Sequence, residues 1–257
     1  MGRRNRPAAP TLTGVNDFVR HGKRKLNGCA VAWWTGKKPP MPTPKERLSH
    51  LLELAASGAG ERAALAGEVA DLLLDWPVQY PAAMRATFEA LLEKIVREMD
   101  AAGRGALAAR FDGRSDFSLA LLNEFFLEAP VAMQGTILAG NDALSAAAAC
   151  DADSDGLLRA SRTVKDFTPV LARATGVPDA VAAAAMADAL TLCVLAKGAG
   201  VNRATFSAIA ILAGPARSVA ENFAMLTSFD RVPQNGARHL VAFWRTRCEQ
   251  AGVERAA

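Results

Sequence analysis

The chain is 257 residues long, 51% hydrophobic and only 6% aromatic, which is enough apolar sequence for one large or two small cores. Alanine-rich stretches recur, whereas β-branched residues in period-2 alternation are almost absent, so the composition argues against sheets and predicts an all-α protein. No apolar run reaches the roughly 18 residues that a membrane span requires. We therefore expect a cytoplasmic protein with no membrane partner.

The formal net charge of +4 is unevenly distributed along the chain. Nine of the 30 lysines and arginines lie in residues 1–40, where Asp17 is the only acid, so the rest of the chain holds 21 basic and 25 acidic residues. Residues 1–40 lack periodicity and are predicted to be a disordered basic tail. The alternative is that translation begins at Met41, where helical sequence starts, and that the preceding residues are not made.

The first strong helical signal is a pair of apolar stripes with helical spacing. One stripe ends before Pro77 and the other begins after Pro81, so we predict an antiparallel helical hairpin. The stripes consist of Leu65, Val69, Leu72, Leu73 and Trp76, and of Met84, Phe88, Leu91, Leu92, Ile95 and Met99. The outer face of the second helix is predicted to carry Arg85, Glu89, Glu93, Lys94, Arg97 and Glu98.

The middle of the chain predicts shorter helices. Gly103 and Gly105 are expected to break the chain before a short helix, and Ser115 or Asp116 to cap the next one, which Pro130 closes. Because such short helices cannot bury their apolar sides alone, they favour stacked, HEAT-like pairs of solenoid type. We assign residues 41–162 to a hairpin with repeat-like helices and residues 163–257 to a C-terminal helical bundle.

Glycine and proline divide the C-terminal part into further helices. Gly176 is predicted to end one helix, and Pro178 to start an alanine-rich helix that runs through Leu195. Asn202 is predicted to cap the helix 204–213. Pro215 is expected to start a helix that reaches Ser228, and a final helix, capped by Gln234 or Asn235, to run through Cys248.

Two segments resemble known binding motifs. The segment Asp151–Gly156 matches the first half of a calcium loop, but Arg159 and Arg162 occupy the ninth and twelfth positions, where ligands belong, so an acidic capping turn is the better interpretation. The turn at residues 198–207 resembles a helix-turn-helix with Asn202 as the cap. Its second helix is apolar on every side, which favours a buried core helix over a DNA-reading one.

No residues form a recognisable catalytic or metal site. His21, His50 and His239 have no ligand-spaced partner, and Cys29, Cys150, Cys193 and Cys248 contain no C-x-x-C pair, so buried reduced thiols are the simplest interpretation. We predict no catalytic residue, metal or cofactor. Convergence of His239, Cys248 or Asp230 in a pocket would instead indicate an enzyme. A charged patch around Trp244, formed by residues 229–231 with Arg245 and Arg247, has the composition of an interface but fits core packing equally well.

Three segments also match the pattern of a known family. They are Glu61–Phe111, Ala199–Arg247 with GVNRATFSAIAIL, LTSFDRVP and HLVAFWR, and Pro130–Leu144 with PVAMQGTILAGNDAL. Through them the chain resembles an uncharacterised bacterial family, domain of unknown function 2336. The resemblance implies a helical, HEAT-like protein without an established activity or catalytic residues. The stretch between about Ser161 and Pro178 is shorter than in longer relatives, which carry extra repeats.

These observations predict a protein-protein interaction adaptor or scaffold that binds an unidentified protein through helix faces. The sequence does not identify the interaction surface. The alternative is a nucleic-acid-binding regulator that uses the basic tail and the turn at 198–207.

Overall fold

The computed structural model describes the backbone of residues 62–256 and the side chains of residues 62–247. Within that range the regular structure is entirely helical, which confirms the all-α prediction. Twelve α-helices are described: α1 Arg62–Leu74, α2 Ala82–Arg97, α3 Ala101–Arg110, α4 Leu119–Phe125, α5 Val131–Asp142, α6 Ser154–Thr163, α7 Thr168–Thr175, α8 Asp179–Ala187, α9 Ala189–Gly198, α10 Arg203–Ala208, α11 Val219–Arg231 and α12 Gln234–Ala256. A π-helical turn, Ile209–Ala213, continues α10.

Several predictions fall outside the described residues. They concern the basic tail of residues 1–40, a translation start at Met41, and the histidines His21 and His50. The side chain of Cys248 also lies outside the described range. Among the helices that are described, no single one is long and apolar enough to cross a membrane, although α7 and α8, bent by 120°, pass that test together by length and composition.

Helices α1 and α2 form the predicted antiparallel hairpin. The Arg62 guanidinium at the start of α1 lies 2.5 Å from the Glu98 carboxylate, just beyond the end of α2. The buried stripe of α1 is the predicted one, with Leu65, Val69, Leu72 and Leu73 in the core.

The stripe of α2 differs from the prediction. Met84 and Leu91 are exposed, while Glu89 is buried, although it was expected on the outer face. Glu89 accepts hydrogen bonds from the Ser118 N–H at 2.9 Å and from the Arg85 Nε at 3.1 Å. Because these bonds satisfy the carboxylate, Glu89 can lie on the buried face of α2, on the side that contacts the start of α4.

Polar side chains set the helix starts in the middle of the chain. Asp100 caps α3 by accepting from the Gly103 N–H at 2.7 Å, so Gly103 and Gly105 lie inside a helix and do not break it. Ser118 caps α4, in place of the expected Ser115 or Asp116. The Asp116 carboxylate instead accepts from the Arg85 guanidinium at 2.8 Å, and this bond lowers the pKa of Asp116.

The predicted helix from Pro178 to Leu195 is two helices. Asp188 ends α8 and caps α9, accepting from the Thr191 N–H at 2.7 Å and from the Thr191 hydroxyl at 2.8 Å. Gly176 ends α7 with a φ of 70°, as predicted, because the left-handed region suits glycine. Similarly, Asp153 caps α6 by accepting from the Gly156 N–H at 2.9 Å, which is the capping turn expected at residues 151–156.

Helix α12 packs against both α9 and α5, and two glycines allow the close approach. A Cβ atom at Gly198 of α9 would lie 2.3 Å from the Ala237 carbonyl oxygen, and one at Gly236 of α12 would lie 2.5 Å from the Leu138 carbonyl oxygen. Because α5 precedes residue 162 in the chain, α12 joins early and late helices in one core. The division into domains at residue 162 stays a prediction.

The start of α11 is also corrected. The helix begins at Val219 and not at Pro215, because Ser218 and Glu221 form a capping box. The Glu221 N–H donates to the Ser218 hydroxyl at 3.2 Å, and the Ser218 N–H donates to the Glu221 carboxylate at 2.7 Å. These bonds from Ser218 lower the pKa of Glu221.

Candidate functional site

The described residues present two candidate sites, a charged cleft and an exposed apolar surface. The cleft has a volume of about 580 Å³ and lies where the ends of α2 and α4 and the starts of α3 and α8 meet α12. Its charged lining is Lys94, Arg97, Glu98, Arg104, Glu124, Glu128 and Arg247, and its apolar lining includes Leu127, Pro178, Val181, Phe243 and Trp244.

Two arginines bridge two glutamates on one wall of the cleft. Arg97 lies 2.9 Å from Glu93 and 3.4 Å from Glu124, whereas Arg247 lies 2.8 Å from Glu93 and also pairs with Glu124. The side chain of Glu124 is only 9% exposed. Its burial raises the pKa of Glu124, even though Arg247 and Arg97 favour the ionised form. The network ties α2, α4 and α12 together.

A second ion pair forms another part of the cleft. The Arg104 guanidinium lies 2.5 Å from the Glu128 Oε1 atom and also donates to the Met99 carbonyl oxygen at 2.7 Å. The other carboxylate oxygen of Glu128, Oε2, is buried and accepts no hydrogen bond in the described structure.

Trp244 is part of the apolar lining of the cleft. Of the charged patch predicted around it, only part is present. The Trp244 ring packs edge-on against Phe126, with 5.8 Å between ring centroids, and Arg247 lies over the Phe243 ring at 4.6 Å. Arg245, however, is directed elsewhere.

Two members of the predicted patch, Arg245 and Asp230, have partners away from Trp244. The Arg245 Nε donates to the Thr175 carbonyl oxygen at 2.6 Å, and the Asp230 carboxylate accepts from the Arg203 Nε at 2.9 Å. Sequence spacing could not separate Arg245 from Arg247, because the distinction depends on how α12 packs against α7.

The turn at 198–207 has the predicted local geometry. Asn202 caps α10 by accepting from the Thr205 N–H at 2.8 Å, and Gly200 adopts a φ of 78°. The interpretation of this segment as a wholly buried helix is wrong. Phe206 and Ile209 are buried, but Ile211 and Leu212 are more than half exposed.

The second candidate site, which we call the apolar surface, consists of four exposed apolar side chains in neighbouring segments of the chain: Ile211 and Leu212 in the π-helical turn, and Val219 and Phe223 on α11. Val219 is 85% exposed and Phe223 is 73% exposed, and their i, i+4 spacing places them on one face of α11. On a different face of the same helix, Met225 and Phe229 are buried. Sequence reasoning missed this surface, although the signal was present: α11 has more apolar positions than one buried face can use.

Side chains suited to catalysis do not converge among the described residues. The His239 Nε2 lies 2.8 Å from the Ser145 carbonyl oxygen, and Asp230 is paired with Arg203, so neither lines the cleft. Cys193 is buried, and burial raises its pKa to about 12, whereas Cys150 is half-buried. Within residues 62–247, no group of three or more His, Cys, Asp or Glu side chains could hold a metal ion.

Comparisons with protein-family models, with curated proteins and with solved structures gave no match. The resemblance to domain of unknown function 2336 therefore stays a prediction.

Proposed function

We propose that the protein is an interaction adaptor that binds another protein through the apolar surface. The observation that supports this proposal is the high exposure of Val219 and Phe223 on one helix face, one turn apart. Large aromatic side chains cost free energy when they remain in water, and soluble proteins rarely keep them in exposed clusters without a use. Full burial of a phenylalanine side chain stabilises a complex by about 1.5–3 kcal/mol.

The surroundings of the apolar surface suit protein recognition. Glu221 is exposed on α11 and is ionised at neutral pH, so it provides one charged element of a polar rim. The π-helical turn Ile209–Ala213, which ends α10, carries the exposed side chains of Ile211 and Leu212. Apolar anchors beside an ionised rim are the usual anatomy of an interface.

A matched pair of charged substitutions tests the proposal. Phe223→Asp places a carboxylate in the apolar surface, whereas Val78→Asp makes the same kind of change at a residue that is 98% exposed in the α1–α2 connection. Because both side chains are exposed, both variants should fold. We expect a partner that is recovered reproducibly from native cells with wild type and with Val78→Asp, and is depleted at least tenfold with Phe223→Asp. Equal recovery with all three proteins would contradict the proposal.

The alternative function is a nucleic-acid-binding regulator that uses the basic residues 1–40 and the turn at 198–207. The Asn202 cap supports a helix-turn-helix geometry there, but the exposed Arg203 side chain is already paired with Asp230. This alternative predicts binding that weakens steeply with salt and disappears when residues 1–40 are deleted. Affinity that is insensitive to salt would exclude it.

We further propose a HEAT-like arrangement of the first helices, a C-terminal helical bundle and a cytoplasmic location. The antiparallel pairing of α1 with α2 supports a HEAT-like start, and the packing of α9 against α8, α11 and α12 supports a C-terminal bundle. Membership of domain of unknown function 2336, a bacterial origin and a cytoplasmic location belong to the same proposal, and they rest on the sequence resemblance and composition.

A further inference from the structure

The cleft at Trp244 has the size and lining of a small-molecule site. Its volume of about 580 Å³ falls in the range of roughly 300–1,000 Å³ that is typical of ligand pockets. One part of its lining is apolar, from Leu127, Val181 and Trp244, and the other part is charged. A ligand that fills it needs an apolar body and a charged head.

The lining holds four cationic side chains, Lys94, Arg97, Arg104 and Arg247, against three acids, Glu98, Glu124 and Glu128. Glu98 is the exposed acid, at 56%, and it pairs with Arg62. The side chain of Arg97 is 38% exposed and that of Arg104 is 24% exposed, whereas their partners Glu124 and Glu128 are 9% and 14% exposed. The arginines therefore present more of their surface than the carboxylates that neutralise them. The free acceptor, Glu128 Oε2, is buried and is not open to a ligand.

One further feature favours an anionic head group. Lys94 is exposed on the cleft lining and forms no ion pair within residues 62–247. The start of α8 also lines the cleft through Pro178, Ala180 and Val181. The Val181 N–H donates to the Pro178 carbonyl oxygen, and Asp179 lies in the first turn, so this helix end adds little attraction for an anion and Lys94 is the main feature.

We propose that this cleft binds a small organic acid that consists of a carboxylate head and an aromatic or aliphatic body. The carboxylate lies toward Lys94, Arg97 and Arg104, and the body packs on Trp244, Leu127 and Val181. Binding leaves the ion pairs of Glu124 with Arg97 and Arg247 in place, because the head group is held mainly by Lys94 and by charge attraction to the part-exposed side chains of Arg97 and Arg104. The inference is independent of the proposed role of the apolar surface.

The probe is a set of three compounds with one apolar body: 4-phenylbutyrate, 4-phenylbutylamine and 4-phenylbutanol. Isothermal titration calorimetry with the full chain should show saturable 1:1 binding of the acid. The amine and the alcohol should bind at least tenfold more weakly, because neither is attracted by Lys94 and the part-exposed arginines. Absence of saturable binding of the acid, or equal binding of the amine, would overturn the proposal.

Two matched pairs of variants localise the binding to the cleft. Ala180 and Ala183 are both exposed on α8, but only Ala180 lines the cleft, so Ala180→Trp should weaken binding of 4-phenylbutyrate at least tenfold and Ala183→Trp should not change it. Lys94→Glu should weaken binding about threefold or more, while Lys165→Glu, the same charge change at an exposed residue away from the lining, should have no effect. Equal weakening within either pair would place the acid elsewhere and refute the assignment.

Discussion

Replacement of glycine by alanine should have opposite effects on stability at Gly198, in the contact between α9 and α12, and at Gly135, on the open face of α5. At Gly198 an added Cβ would lie 2.3 Å from the Ala237 carbonyl oxygen and 2.7 Å from the Val241 side chain. Ordinary van der Waals contacts of a Cβ begin near 3.4 Å, so the two helices must separate by about 1 Å to accept an alanine. Gly135 in α5 has no atom within 4 Å of the same Cβ position.

The expected free energies follow from these distances. Overpacking of a well-packed core costs about 1–3 kcal/mol, and the higher helix propensity of alanine returns at most about 1 kcal/mol at the last residue of α9. We therefore expect Gly198→Ala to lower the free energy of unfolding by about 1–2 kcal/mol. Gly135→Ala lies in an open helix interior and should raise it by about 0.5–1 kcal/mol.

Urea unfolding followed by circular dichroism at 222 nm measures both changes as shifts of the midpoint at constant slope. The reasoning fails if Gly198→Ala is as stable as wild type or more so, because α9 would then not approach the α12 backbone as closely as described. A destabilised Gly135→Ala would instead show that the helix-propensity argument does not hold in α5.

Three further predictions concern single side chains. Cys193 should resist alkylation by iodoacetamide in the native protein and react only on unfolding, because burial raises its pKa to about 12. Half-buried Cys150 should be alkylated before Cys193. Peptide mass spectrometry measures the two rates separately, and equal rates would contradict the burial of Cys193. Ser218→Ala should destabilise the protein by about 1 kcal/mol in urea unfolding through loss of the α11 cap, and an unchanged midpoint would show that the cap is dispensable. The pKa of Glu124 is raised by burial, so the folded state binds this proton more tightly than the unfolded state, and the free energy of unfolding should rise as pH falls from neutral through the folded pKa toward 4.5. Glu124→Gln should remove this rise. Parallel profiles of stability against pH for wild type and variant would refute the prediction.

The sequence predicted the structure correctly where one local property of the chain decides it. The stripe Leu65–Leu73 follows from helical periodicity, Gly176 from the left-handed conformation that its position requires, and the Asn202 cap from its side-chain acceptor. None of these depends on a distant residue.

The errors arose where a side-chain hydrogen bond decides the outcome, whether its partner is near or far in the chain. Glu89 was placed outside because glutamate is polar, but the Ser118 N–H and Arg85 satisfy it inside the core. Asp188 divides an alanine-rich helix that propensity alone would continue. The cleft could not be anticipated, because its lining comes from residues that lie up to about 150 positions apart, such as Lys94 and Arg247.

The apolar surface was missed for a different reason. A periodic pattern identifies apolar faces but does not say which of two faces the rest of the protein covers. In α11 the core takes Met225 and Phe229 and leaves Val219 and Phe223 in solvent. Only the packing of α11 against α9 and α10 makes that choice.

Site-specific photo-crosslinking in native cells tests the central claim, that the apolar surface binds another protein, most directly. A benzophenone amino acid at position 223 should give one reproducible crosslinked partner, and the yield should fall at least tenfold when Val219→Asp is added. The same probe at position 78, where Val78 is even more exposed than Phe223, should not give that adduct. Crosslinks at position 223 that are no more frequent or specific than those at position 78 would contradict the account.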